Sequence, residues 1–236
     1  MNRRRALATS LAIWTASAAA IMTYVNVLRP LFLRWGATDE EAGRGLPGDD
    51  LFPDSGPSTT NAVTIDAPPS LVWPWLVQMG PGRAGAYTYD WVENLFGLNM
   101  HSADRIVPEW QHMDLGDAFP LGKNAPSLRV EAITPERELV LAYPDGTWSW
   151  VFVLDPLAGE RTRLITRNRA PARTAQERLR LEVMLPGAFL MMRKMLLGIK
   201  ERAERLAAEQ RQLSPSEASG APVAQPPATP VYGQAE

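Results

Sequence analysis

The hydrophobic pattern changes period most sharply across Val63–Leu76. Val63 and Ile65 alternate with Thr64 and Asp66, the two-residue period of a half-buried strand. Ala67-Pro68-Pro69 follows, and proline is tolerated at a helix start, where a missing N–H costs little. Leu71, Val72, Trp75, Leu76 and Met79 then recur at spacings of three and four, which predicts a short helix. Tyr89–Phe96 predicts a second one, closed by Gly97 at a C-cap position. Four strands are expected next. Leu128, Val130 and Ala132 alternate with Arg129 and Glu131, and Glu138–Tyr143 runs to a turn at Pro144-Asp145-Gly146. Thr147–Leu154 places Trp148, Trp150, Phe152 and Leu154 on one face, and Arg161–Arg169 returns after a turn at 155–160. In that last strand Arg161, Arg163, Arg167 and Arg169 share the face opposite Leu164 and Thr166. This arginine face is expected to be the solvated outer side of a sheet, with attraction to anionic lipid head groups as the alternative.

The chain closes on a helix. Phe189, Met192, Leu196, Ile199, Ala203 and Leu206 form one continuous apolar stripe. A shorter helical piece over Thr174–Met184 is expected before it, with the break at Pro186-Gly187.

The two ends read differently. Asn2-Arg3-Arg4-Arg5 precedes an uncharged run from Ala6 to Leu28, closed by Arg29-Pro30. A helix of roughly 20 residues crosses a bilayer core, and the run is that long. Small-residue sites at Ala16-Ser17-Ala18 and Ala18-Ala19-Ala20 fit a cleavable signal peptide. Apolar character continues past them through Ile21–Val25 and favours a retained anchor, with a peripheral amphipathic helix as a third reading. Arg3–Arg5 outnumber Arg29 and Arg34, which places the globular part on the extracytoplasmic side by the positive-inside rule. The domain plan is therefore a hydrophobic segment at 1–33, an extended Gly/Asp/Pro-rich connector at 34–58, a folded domain at 59–210 and a disordered Pro/Ala/Ser/Gln-rich tail at 211–236.

Composition narrows the chemistry. A net charge of −2 over 236 residues gives no electrostatic footprint for nucleic acid. With no cysteines, disulfides, thiolate nucleophiles and cysteine metal sites are excluded together, and two histidines, His101 and His112, offer little for a metal centre. No cofactor or metal is expected. Gly80-Pro81-Gly82-Arg83-Ala84-Gly85 reads as a turn, not a nucleotide-binding fingerprint.

The element order is strand, two short helices, a run of strands, then a long amphipathic helix. An antiparallel sheet with one apolar face needs a cover, and a helix with one apolar stripe supplies it. Ile65–Pro69 with Val72–Leu76, and Arg193–Lys200 at the C-terminal end, resemble the START-like or SRPBCC superfamily, which includes polyketide cyclase/dehydrase-like members. Arg34–Thr38 and Asp104–Trp110 resemble segments of bacterial members. The resemblance implies an α+β helix-grip fold: a curved antiparallel sheet wrapped around the C-terminal helix, with an apolar cavity between them. Members bind lipids, sterols or polyketides, and some catalyse cyclisation or dehydration. The superfamily has no universal catalytic motif, so the resemblance transfers no catalytic residue.

Candidate ligand-binding residues are Trp73, Tyr87, Tyr89, Trp91, Trp148, Trp150 and Met192, because aromatic walls bury large apolar areas and each indole N–H needs a partner. Tyr87–Asn94 is a polar-aromatic group that would rim a cavity entrance if turned inward. His101 with Asp104, or with Glu93, could form an acid–base pair; a surface ion pair of Asp104 with Arg105 is the plainer account. The expected function is binding, transport or sensing of a small hydrophobic or lipid-like molecule by a membrane-tethered domain. The alternatives are a cyclase/dehydratase-type enzyme and a tethered interaction module without a ligand.

Overall fold

The structure, a computed structural model, describes residues 3–51, 58–95, 97–122 and 126–218. Its N-terminus is a helical rod: α1 (Arg3–Thr23), one wide π-helical turn at Tyr24–Leu28, and α2 (Arg29–Arg34). The wide turn directly precedes Pro30, whose ring would otherwise press on the carbonyl one turn back. Asn26 adds a side-chain bond to Met22 O at 2.8 Å. Within this rod Ala12–Arg34 is the one helix among the described residues long and apolar enough to cross a membrane.

The sheet follows. Strands β1 (Thr59–Ile65), β2 (Ala118–Phe119), β3 (Leu128–Thr134), β4 (Glu138–Ala142), β5 (Ser149–Leu157) and β6 (Arg161–Arg169) form one six-stranded antiparallel sheet in the order β1-β6-β5-β4-β3-β2. Between β1 and β2 lie the two short helices, α4 (Pro69–Val77) and α5 (Asp90–Leu95). Helix α6 runs unbroken from Ala175 to Ala218. The sheet curves around α6, which is the helix-grip arrangement. Their shared core joins Ile65, Leu139, Leu141, Phe152, Leu154 and Leu164 of the sheet to Met195, Leu196, Ile199 and Ala203 of α6. Trp150 and Phe152 do lie on the gripping face, as the alternation requires. Gly198 lets α6 approach the loop after α4, since a Cβ there would come within 2.5 Å of Tyr87 O.

Four expectations need correction. Pro186-Gly187 does not break α6; Leu185 and Phe189 are buried on either side of the proline and hold the helix in line. The helix also passes residue 210 and continues to Ala218, while the rest of the expected tail lies outside the described residues. In β3 the pairing register shifts between Val130 and Ala132, so Ile133 packs on the gripping core and Ala132 on the opposite face. A bulge of this kind reverses the alternation that the sequence shows.

The arginine face differs as well: from Arg163 to Arg169 it is covered, not solvated, while Arg161 at its end stays exposed. The connector contains a helical turn, α3 (Asp39–Gly43), started by a capping box in which Thr38 and Glu41 satisfy each other's backbone N–H. This segment lies across the outer face of the sheet over a second apolar cluster of Leu46, Ala62, Val140, Val151, Val153 and Ile165. Arg163 donates to Glu41 Oε1 at 2.7 Å and holds that carboxyl below its usual range. Arg167 is 1% exposed. It donates to the carbonyls of Glu41, Ala42 and Arg44 at 2.8, 3.0 and 2.9 Å and pairs with Asp49. These carbonyls close the C-terminal end of α3, where helices lack internal donors. Arg169 also pairs with Asp49, and Arg44 with Asp155. Arg163, Arg167 and Arg169 thus fasten the connector and are not free for lipid head groups, while Arg161 donates to Ala158 O in its own turn. Residues 52–57 of the connector lie outside the described residues.

Candidate functional site

A cavity of about 540 Å³ lies at one end of the grip, inside the usual range for small-molecule sites. One wall is α2, through Arg29, Phe32 and Leu33; the opposite wall is the first half of α6, from Arg180 to Met192. The floor comes from the ends of β1 and β6, with Thr59, Asn61 and Asn168, and from the β4–β5 hairpin, with Tyr143, Thr147 and Trp148. The hairpin is set by Gly146 at φ 73° and by Thr147 N donating to Asp145 Oδ1 at 3.0 Å.

The N-terminal rod is built into this site. Tyr24 donates to Glu182 Oε2 at 2.8 Å, and Arg29 donates to Glu182 Oε1 at 2.8 Å. The Arg29 guanidinium holds the Glu182 carboxyl below its usual range. Phe32 and Phe189 lie 5.0 Å apart between ring centroids, and Trp35 meets Phe189 edge-on at 6.4 Å. The lining is mostly apolar, with Arg29, Glu182 and Arg180 on the helix side and Thr59, Asn61 and Tyr143 on the sheet side. Such a chamber suits an elongated apolar molecule carrying a polar end.

Of the seven candidate ligand residues, Trp148 and Met192 line the cavity. Trp148 stacks on Trp150 at 5.7 Å. Their indole N–H groups are already satisfied: Trp148 donates to Asn168 Oδ1 at 3.2 Å and Trp150 to Thr166 Oγ1 at 3.0 Å. Trp150 is buried core behind the wall, and Trp73 packs half-buried against the same core. Tyr87 is buried too. Its hydroxyl donates to Trp75 O at 2.9 Å and accepts from Gln78 at 3.1 Å, and burial pushes its pKa far up. Tyr89 and Trp91 are exposed, Trp91 at 69%, and neither lines the cavity.

The polar group around α5 turns away from the cavity and ties its own loop. Asp90 accepts from Ser102 N and Oγ at 2.7 and 2.6 Å, and Asn94 exchanges hydrogen bonds with Met100 at 2.7 and 2.9 Å. The acid–base candidates are not assembled either. His101 is exposed, Asp104 pairs with Arg202 of α6 instead of Arg105, and Glu93 is buried beneath α5. None of the three lines the cavity. Gln78, unmarked by any sequence pattern, is fully buried and bonds Tyr87, Arg105 O, Val107 N and Gln111, pinning the segment before β2. Among the described residues no group of three or more His, Asp or Glu side chains could hold a metal ion.

The cavity walls missed by the sequence reading are Arg29, Phe32, Phe189, Glu182 and Tyr143. Phe189 was legible as an apolar stripe position, while the other four had no local signal of a site.

No family model matches the chain, and no curated protein matches it in sequence. Solved structures are similar to it at low sequence identity. A conserved protein of unknown function from Enterococcus faecalis is 13% identical over 66% of this chain and 85% of its own, with a TM-score of 0.38. A protein from Thermobifida fusca is 15% identical over 63% and 94%, at 0.41. CalC, a self-sacrificing resistance protein from Micromonospora echinospora, is 10% identical over 63% and 94%, at 0.39.

Proposed function

We propose that this protein is a membrane-tethered member of the START-like superfamily that binds a small hydrophobic or lipid-like molecule at the end of its grip. The observation that carries the reading is the cavity of about 540 Å³ between α2 and α6, with Trp148, Phe189 and Met192 as its apolar surface. The centre of the grip is occupied by its own side chains, among them Trp75, Phe152, Leu196 and Ile199, so the ligand belongs at the open end. The tether is the rod over Ala12–Arg34, and the contacts of Tyr24, Arg29 and Phe32 make the end of that rod part of the binding site.

The test is saturable uptake of a fluorescent fatty acid by the full chain in detergent micelles, together with native mass spectrometry for a co-purifying hydrophobe. Met192→Trp fills the chamber with a bulky side chain and is expected to abolish uptake while leaving the circular dichroism spectrum unchanged. Equal uptake by the variant and the parent, or none by the parent, would overturn the reading.

A further inference from the structure

The first half of α6 carries a second apolar stripe that faces away from the sheet. Leu179, Val183 and Leu190 are 65%, 74% and 56% exposed. Their spacing of four and seven residues puts them on one side of the helix, with Pro186 between them. Met184, 54% exposed, both adjoins this stripe and lines the cavity. Across the Glu182 contact, the rod continues the apolar surface with Leu28 and Leu31, 40% and 44% exposed. An exposed apolar surface therefore runs from the span-length helix onto α6 and passes the mouth of the cavity.

The charges beside it have one dominant sign. Arg173, Arg178 and Arg180 lie beside the stripe in sequence, and Arg193 and Lys194 beyond it sit over the Trp35 and Tyr89 rings, against Glu177 and Glu182, and Glu182 is already paired with Arg29. An apolar helix face with a basic flank is what an anionic leaflet accepts: apolar side chains sit at the acyl boundary and guanidinium groups among the phosphates. A second copy would bring the same basic flank against itself.

We infer that the first half of α6, residues 179–190, docks into the head-group region of an anionic leaflet, the one from which the N-terminal rod emerges. The cavity mouth then opens into lipid, and its ligand enters sideways from the leaflet without crossing water. The inference rests on the membrane-tethered reading for its bilayer and is independent of whether the chamber is occupied.

The chain has no cysteines, so single nitroxide labels can be placed on the full protein at Val183→Cys, Leu190→Cys and, as an aqueous reference on the same helix, Glu209→Cys. The protein is reconstituted in vesicles of equal parts phosphatidylcholine and phosphatidylglycerol, and collision with oxygen is compared with collision with a water-soluble nickel chelate. Labels at 183 and 190 are expected to shift to oxygen-dominated collision, while 209 stays nickel-dominated. Nickel access at 183 and 190 equal to that at 209 would overturn the inference. Spin–spin broadening between labels at 183 would overturn it as well, in favour of a second copy. Oxygen-dominated labels in a protein that takes up no fatty acid would uphold the docking and sink only the ligand reading.

Discussion

Tyr87 has φ at 57°, a region that aromatic side chains rarely adopt. Such a backbone costs about 1–3 kcal/mol and persists where surrounding contacts over-determine it. Here those contacts are Trp75 O, Gln78, the edge of the Trp75 ring at 5.8 Å and the Arg202 guanidinium 4.9 Å above the ring. A residue that looked like ligand equipment is thus a fastening between α4, its loop and α6. Glu93 is the opposite case, a buried carboxyl with poor support. Its Oε2 has no partner in hydrogen-bond geometry among the described residues; burial pushes its pKa up, and the neighbouring Thr88 hydroxyl offsets this only in part. A raised folded-state pKa means that stability is fully present below the ordinary carboxylate pKa of about 4.3 and is lost as pH rises through the folded value. Glu93→Gln is expected to raise the melting temperature at neutral pH and to raise it less at about pH 3, well below the ordinary carboxylate pKa, where the parent carboxyl is protonated in both states. Thermal unfolding followed by circular dichroism at the two pH values checks this; an equal or reversed difference would show that Glu93 is ionised without penalty.

Among the elements, the connector departs most from a reading by period. Its Gly, Asp and Pro content conceals an ordered segment whose donors and acceptors are met by strand β6. Arg167→Ala removes one of the two arginines paired with Asp49 and the donor to three carbonyls from a buried position, and breaking a buried ion pair in this way costs about 3–5 kcal/mol. Urea unfolding of the detergent-solubilised chain should show that loss, and amide exchange over 38–51 should accelerate more than exchange in β5. Two signals for this cover were present in the sequence. Thr38-Asp39-Glu40-Glu41 is a capping-box pattern. Leu139–Leu141 and Trp150–Leu154 are apolar on both faces, the mark of strands buried on two sides. The sheet, the two short helices and the stripe of α6 were legible because each is a periodic signal within one element. The cavity was not, because Arg29, Asn61, Tyr143, Asn168 and Phe189 come from five separate segments and only the fold brings them together.

At the scale of the whole molecule, the rod and the domain cannot be divided at residue 33 or 34. Tyr24, Arg29 and Phe32 are anchored on α6, and Arg29, Phe32 and Leu33 form a wall of the chamber. Deletion of residues 1–20 is expected to leave the fold and fatty-acid uptake intact while moving the protein to the soluble fraction at high salt, where residual attraction to anionic lipid is screened. Deletion of residues 1–34 should abolish uptake as well. Fractionation and the fluorescent uptake assay separate the two outcomes; full uptake by the shorter chain would show that the rod is no part of the site.

The pairing of β1 with β6 also constrains the order in which the protein can be made. Thr60 and Arg167 are 107 residues apart, and Glu41 and Arg167 are 126 apart, so neither the connector nor β1 can settle until β6 has been synthesised. At about 5–20 residues per second the wait is roughly 5–20 seconds, during which the N-terminal rod can already have been captured by a bilayer. Until then β1 is an uncharged strand without proline or glycine, rich in threonine, valine and isoleucine, so the delay leaves open an edge that pairs readily. The first strand of the domain is the last to be sewn into the sheet.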